Sequence, residues 1–246
     1  MNSLIGKQIN ILDNGWIELQ DIMGDDLAIV NAARASFLGE SKGNEKDKRL
    51  LFYLMEHYHT GPFEQVEFKF RIRAPLIVWW QWARHRTWSY NAQSGRYTEF
   101  KEDDFHVPKP SEWRLQSKDS KQGSDGFLPE KRTFPDYEYA GEVFTDFLME
   151  YQKMGIELYK CALRYDIAKE QARMFLPAFG VYYTWICKVD AHNLMHFLSL
   201  RMSPDAQYEI RVYAEAIYEH FFKPALPWTS EAFEKYRNMG WLVDKK

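Results

Sequence analysis

VEFKFRIRAPLIVWWQWARHR, residues 66–86, carries two structural periods in succession. Its first eight residues alternate strictly, with Val66, Phe68, Phe70 and Ile72 set against Glu67, Lys69, Arg71 and Arg73. Successive side chains of a strand point to opposite faces, so residues 66–73 are predicted to form a half-buried β-strand. From Leu76 the apolar residues run together instead. With Pro75 suited to a first helical turn, the pattern predicts a helix buried nearly all round.

Working outward, residues 8–20 alternate around Asn14-Gly15, a hairpin signal, and residues 181–189 are rich in β-branched and aromatic side chains, a further strand. Helices are expected over 25–33, 45–57, about 138–163, 166–175, 190–200 and 205–222, with a short one from Ser230. Residues 101–135 are polar, with Pro, Gly and Ser clusters, and read as a surface insertion that orders on demand. Strands and helices alternate irregularly, which points to an α+β fold with a largely antiparallel sheet flanked by helices. No repeat or linker divides the chain, so residues 1–246 are expected to be one domain.

With 32 basic and 35 acidic side chains the formal charge is −3, which argues against a nucleic-acid-coating protein. Hydrophobic residues at 46% and charged residues at 27% are ordinary for a globular chain and argue against disorder as the main theme. Aromatic residues reach 17%; most should fill the core, yet the excess also favours a planar ligand. The two cysteines, Cys161 and Cys187, form no CxxC pair and lie in apolar helix and strand contexts. The longest uncharged apolar stretch, residues 74–83, is half a membrane span, and a basic n-region followed by a long apolar run is lacking at the start. These features lead us to expect a cytoplasmic protein that engages neither membrane nor nucleic-acid polymer.

The predicted helix ends in Arg84-His85-Arg86, with Gln81, Arg84 and His85 at i, i+3 and i+4 on one face. On one reading such cations merely complement the negative helix end, which contributes ~0.3–1 kcal/mol. The following RTWSYNAQSGRYTEF, crowded with hydroxyl, amide and glycine residues, shifts the reading, because loops like Ser94-Gly95-Arg96 offer N–H groups and a guanidinium to a phosphate. The string ARHRTWSYNAQSGRY resembles the signature of flavin-dependent thymidylate synthases: Arg-His-Arg, seven residues, then Ser. AARASF, HYHTGPFEQ, EQARMFLP, DAHNLMHFLSLR and AQYEI resemble that family's other blocks, in order.

The resemblance implies a homotetramer with an α+β fold and active sites between subunits, binding FAD, dUMP and methylenetetrahydrofolate, with NADPH as reductant. It places Ser36, His59, Glu64, Arg84, His85, Arg86, Asn91, Asp190, His192 and His196 at the flavin. Gln81, Arg84, Ala92, Ser94, Gly95, Arg96, Arg173 and Arg201 fall at the nucleotide, with Arg201 the catalytic group facing the uracil ring. A guanidinium there can stabilise the N3-deprotonated ring without a covalent nucleophile. Three departures stand out: Ala92 where the family has Glu, Gly61 where it has Ser or Thr, and Asp190-Ala191-His192 where it has Asn-x-Arg. Ala92 opens the alternative of a UMP/dUMP methylase with relaxed sugar specificity.

Two other classes compete. A metal-dependent hydrolase would draw on His57, His59, His85, His192 and His196, but the i, i+4 pair His192 and His196 has no adjacent Glu as general base. No metal is therefore expected. A single-stranded RNA module would use aromatic platforms with Arg71, Arg73, Arg84, Arg86 and Arg96, against the negative net charge.

Overall fold

The computed structural model describes residues 3–119, 121, 123–128, 132–134, 137–139 and 141–236. Its main sheet has the order β1-β2-β3-β9-β4, every pair antiparallel. The strands are β1 (Gln8–Ile11), β2 (Gly15–Met23), β3 (Glu67–Pro75), β4 (Ser89–Ala92) and β9 (Tyr182–Asp190). Two small ribbons, β5 (Arg114–Gln116) with β6 (Ser124–Phe127) and β7 (Arg132–Phe134) with β8 (Tyr137–Tyr139), precede the long helix α4 (Gly141–Arg164). The other helices are α1 (Asp26–Arg34), α2 (Asn44–Glu56), α3 (Leu76–Trp82), α5 (Lys169–Ala172), α6 (Ala191–Arg201), α7 (Tyr208–Ile217), α8 (Lys223–Ala225) and α9 (Pro227–Tyr236). The expected α+β class and antiparallel sheet are both present.

The alternation of β3 does what its pattern requires. Phe68, Phe70 and Ile72 are fully buried and meet Ile17 and Leu19 of β2, Cys187 and Val189 of β9 and the helical residues Phe221 and Phe222. Burying one such ring stabilises by roughly 1.5–3 kcal/mol. A smaller core, including Phe100, Phe105, Ile156, Tyr159 and Val181, sits under α4.

Several expectations are corrected. The hairpin turn is Leu12–Asn14, with Leu12 left-handed at φ 59°, while Gly15 is already in β2 opposite Ile11. Glycine is required there because a Cβ would meet the Tyr213 hydroxyl at 2.0 Å and the Ile11 carbonyl at 2.7 Å. Pro75 ends β3 and caps α3 instead of lying in its first turn. Helix α3 stops at Trp82, so Arg84, His85 and Arg86 are not helical, and Trp80 is 52% exposed rather than buried. Residues 89–92, expected in a loop, form β4 on the edge of the sheet.

Residues 166–175 are not one helix. Asp166 is left-handed at φ 58°, and only α5 and a 3-10 turn at Arg173–Phe175 follow. Glu138, placed at a helix start, lies in β8. The 205–222 helix begins at Tyr208 and widens to a π turn at Tyr218–Phe222. The insertion at 101–135 is anchored at its start: His106 Nδ1 meets Asp13 at 2.7 Å, Val107 N–H donates to Asp13 at 2.9 Å, and Arg73 pairs with Asp104 at 2.8 Å.

Candidate active site

The centre of the site is Arg201, the last residue of α6. Its Nε donates to His85 Nε2 at 3.0 Å, Nη1 to Gln81 Oε1 at 3.2 Å and Nη2 to the Gln81 carbonyl at 3.2 Å. The early end of α3 makes this possible. The turn after Trp82 is fastened by Tyr90 of β4, whose hydroxyl lies 3.0 Å from the carbonyls of both Trp82 and His85. Gln81 and His85 thereby converge on Arg201 from a helix end and a turn, not from one helical face.

His85 packs edge-on to Phe197, with ring centroids 4.9 Å apart, in a nest that includes Trp82 and Trp88. Burial, then the charge of Arg201 and the neighbouring His196, lowers its pKa to about 4. The ring is neutral at pH 7, and because Nε2 accepts from Arg201 the proton sits on Nδ1. Burial also lowers the pKa of Arg201, which stays charged because a guanidinium titrates far above neutrality. Among the described residues Arg201 makes no ion pair with a carboxylate, and its fork has N–H groups beyond those three bonds. A half-buried cation held only by neutral acceptors is a place for an anion.

A second group gathers around Glu170. Arg96 Nε lies 3.4 Å from its carboxylate, and Arg173 Nε donates to its carbonyl at 3.3 Å. The Ser94 carbonyl accepts from Tyr97 N–H at 3.0 Å and Thr98 N–H at 3.1 Å, closing a tight turn. Gly95 is buried in that turn, where a Cβ would meet the Phe100 ring at 2.8 Å and the Arg173 side chain at 3.4 Å. Arg173 lines an apolar cavity of about 370 Å³ with Trp79, Phe100, Met174 and Tyr183. No hydrogen bond joins this group to the Arg201 cluster among the described residues.

The remaining predicted residues are more dispersed. Ser36, His59, Glu64, Arg84, Arg86 and Asn91 are exposed. His192 and His196 border a cavity of about 210 Å³ with Tyr58, Met195, Ser199, Phe233 and Tyr236. Asp190 is the N-cap of α6, accepting from Asn193 N–H at 2.9 Å and Nδ2 at 2.7 Å. Ala92 is half-buried against the main core. No group of three or more His, Cys, Asp or Glu is placed to share a metal among the described residues. Sequence reasoning missed Gln207, Glu209 and Arg114, which extend the contacts of Gln81. Gln207 and Glu209 lie in AQYEI, a block whose sequence gives neither residue a role of its own, and nothing local marks Arg114.

A family model described as thymidylate synthase complementing protein matches residues 18–228. The flavin-dependent thymidylate synthase of Thermus thermophilus is 42% identical over 96% of this chain and 82% of its own length. That of Rickettsia conorii is 40% identical over 100% of this chain and 84% of its own. The crystal structure of the UMP/dUMP methylase PolB from Streptomyces cacaoi bound with 5-Br dUMP superposes with a TM-score of 0.79 at 30% identity, covering 94% of this chain and 99% of that one. With matches of this extent, the chain belongs to the flavin-dependent thymidylate synthase family.

Proposed function

We propose that this chain reductively methylates dUMP to dTMP, with FAD as cofactor, methylenetetrahydrofolate as carbon donor and NADPH as reductant. The observation that carries the reading is Arg201, a cation held by an amide oxygen, a carbonyl and a neutral imidazole. For C5 of uracil to attack a one-carbon unit the ring must become electron-rich. A fixed guanidinium stabilises the N3-deprotonated ring and needs no reorganisation as charge develops. No thiol is needed, and Cys187 is unsuited to the work, since burial pushes its pKa far up.

Ser94, Gly95, Arg96 and Arg173 take the nucleotide phosphate, with two guanidinium groups beside a turn in which Gly95 makes room for the Phe100 ring and the Arg173 side chain. For the flavin, the exposed cations Arg84 and Arg86 suit the pyrophosphate, with Ser36, His59, Glu64, Asn91, His192 and His196 around it. Asp190 acts by holding the start of α6. When bound, the flavin supplies the hydride.

These groups are scattered, and the cavity of about 210 Å³ beside His192 and His196 is small for a dinucleotide. The site is completed by other copies of the chain in a homotetramer. Tyr151, Met154 and Leu158 expose an apolar stripe on α4, between 47% and 56% exposed, opposite the buried Gln152, Ile156 and Tyr159. Light scattering checks the assembly, and a monomer that turns over refutes it.

The direct test is a spectrum of the purified protein. It is expected to show bound flavin that bleaches with reduced nicotinamide, and to form dTMP when dUMP and methylenetetrahydrofolate are added. Flavin-free protein that cannot be reconstituted overturns the reading. The sugar is read as deoxyribose; the ratio of kcat/KM for dUMP over UMP, measured in this chain and in Ala92→Glu, is expected to rise in the variant. An unchanged ratio removes Ala92 from sugar selection.

A further inference from the structure

Arg201 leans on Gln81, and Gln81 is itself held from a distance. Gln81 Nε2 donates to Gln207 Oε1, Gln207 Nε2 donates to Glu209 Oε2 at 2.7 Å, and Glu209 Oε1 accepts from Arg114 Nη2. The series Arg114, Glu209, Gln207, Gln81, Arg201 runs from β5 in the insertion, past the start of α7, to the end of α6. Each glutamine in it has a donor end and an acceptor end, so an isolated amide sits either way round.

One member fixes the direction. An ionised carboxylate accepts and never donates, and Glu209 is buried at 7% exposure with its partners in place. Burial raises its pKa, but the hydrogen bonds from Arg114 and Gln207, with the Arg114 charge, outweigh this and hold it below the usual value. Because Glu209 accepts, Gln207 turns its NH2 toward it and its oxygen toward Gln81. Gln81 must then give its NH2 to Gln207 and leave its oxygen for Arg201. The reverse order would set an NH2 group against a guanidinium, two donors facing each other.

We infer that Glu209, kept in place by Arg114, is a positioning residue that sets the direction of two amides and so aims the Arg201 guanidinium. The inference rests on the reading of Arg201 as the group that faces the uracil ring. A carboxylate placed directly on Arg201 would compete with the anion it is to stabilise. At three links away, it contributes direction without neutralising the charge. The insertion strand β5 is then a working part of the site.

The test uses the full-length holoenzyme. Glu209→Gln alone leaves Arg114 without its carboxylate and is liable to disturb folding, so the double variant Arg114→Gln/Glu209→Gln is measured with it. The double variant is expected to keep its flavin and lose about tenfold in kcat, the scale of coupling within one hydrogen-bond network. The 19F resonance of bound 5-fluoro-dUMP, followed against pH, is expected to show N3 ionising at higher pH than in the parent; a merely structural role would leave it unmoved. In an Arg201→Lys background the same two substitutions should change kcat by less than about twofold. A double variant with parental kcat and parental N3 ionisation, while Arg201→Lys is slow, overturns the relay alone. If Arg201→Lys itself keeps both properties, the reading of Arg201 fails, and the inference falls with it.

Discussion

The Arg201 cluster and the Ser94–Arg173 cluster both present guanidinium groups, yet they are built differently. Arg201 is half-buried and its geometry is fixed by three bonds to Gln81 and His85. Arg96 and Arg173 are exposed and share one glutamate residue at 3.4 and 3.3 Å. A cation that must stabilise charge as it develops gains from being immobile beforehand. A cation that captures a phosphate can be ordered by the phosphate itself, and exposure favours encounter. On the proposed function, the difference separates a chemical end of the site from a holding end.

The sharpest way to break this contrast is Arg201→Lys, which keeps the charge and loses the planar fork. Turnover is expected to fall by about two or more orders of magnitude while bound flavin, read by absorbance, stays near the parental level. Flavin loss in step with activity would move Arg201 to the cofactor site. Arg173→Ala should act on the other side of the comparison, raising KM for dUMP about ten- to a hundredfold with a much smaller change in kcat, as expected for a lost charge-assisted hydrogen bond. A fall confined to kcat would erase the distinction.

A milder effect concerns pH. The His85 pKa is about 4 in the folded chain against 6.5 for the free side chain. Above pH 6.5 both states are neutral and stability is complete; between pH 6.5 and about 4 the unfolded chain takes up the proton first, so stability falls with falling pH. Thermal midpoints across that window should therefore drop less in His85→Asn than in the parent, after referring each to its own value at pH 7.5. The smallest change is expected from Cys161→Ser with Cys187→Ala, which should methylate dUMP within a few-fold of the parent. A loss beyond about a hundredfold would bring a thiol into the mechanism.

Strand β3 was legible because its burial follows a period that sequence displays directly, and β9 because its β-branched and aromatic residues favour a pleated, buried segment. So was the Arg84-to-Ser94 signature. The short strand β4 was not, since the alternation of Ser-Tyr-Asn-Ala covers only four residues and its partner segment lies more than ninety residues away. The end of α3 depends on Tyr90 reaching back to two carbonyls, a contact invisible to helical spacing. Expecting Gln81, Arg84 and His85 on one face was right about two members for the wrong reason: Arg84 is exposed, while the other two meet at Arg201. The pairing of Arg114 with Glu209, 95 positions apart, has no local sign at all.

The tight approach at Gly15 bears on how such a chain can diverge. Its absent side chain leaves room for the Tyr213 hydroxyl, which donates to the Arg73 carbonyl at 2.7 Å. Any larger residue would have to expel that hydroxyl and detach α7 from β3 in one step, with no half-way substitution between glycine and failure. Among chains descended from this one, position 15 is therefore a fixed point, and loss of the ring at position 213 would not free it, because the Ile11 carbonyl would still lie 2.7 Å from any Cβ.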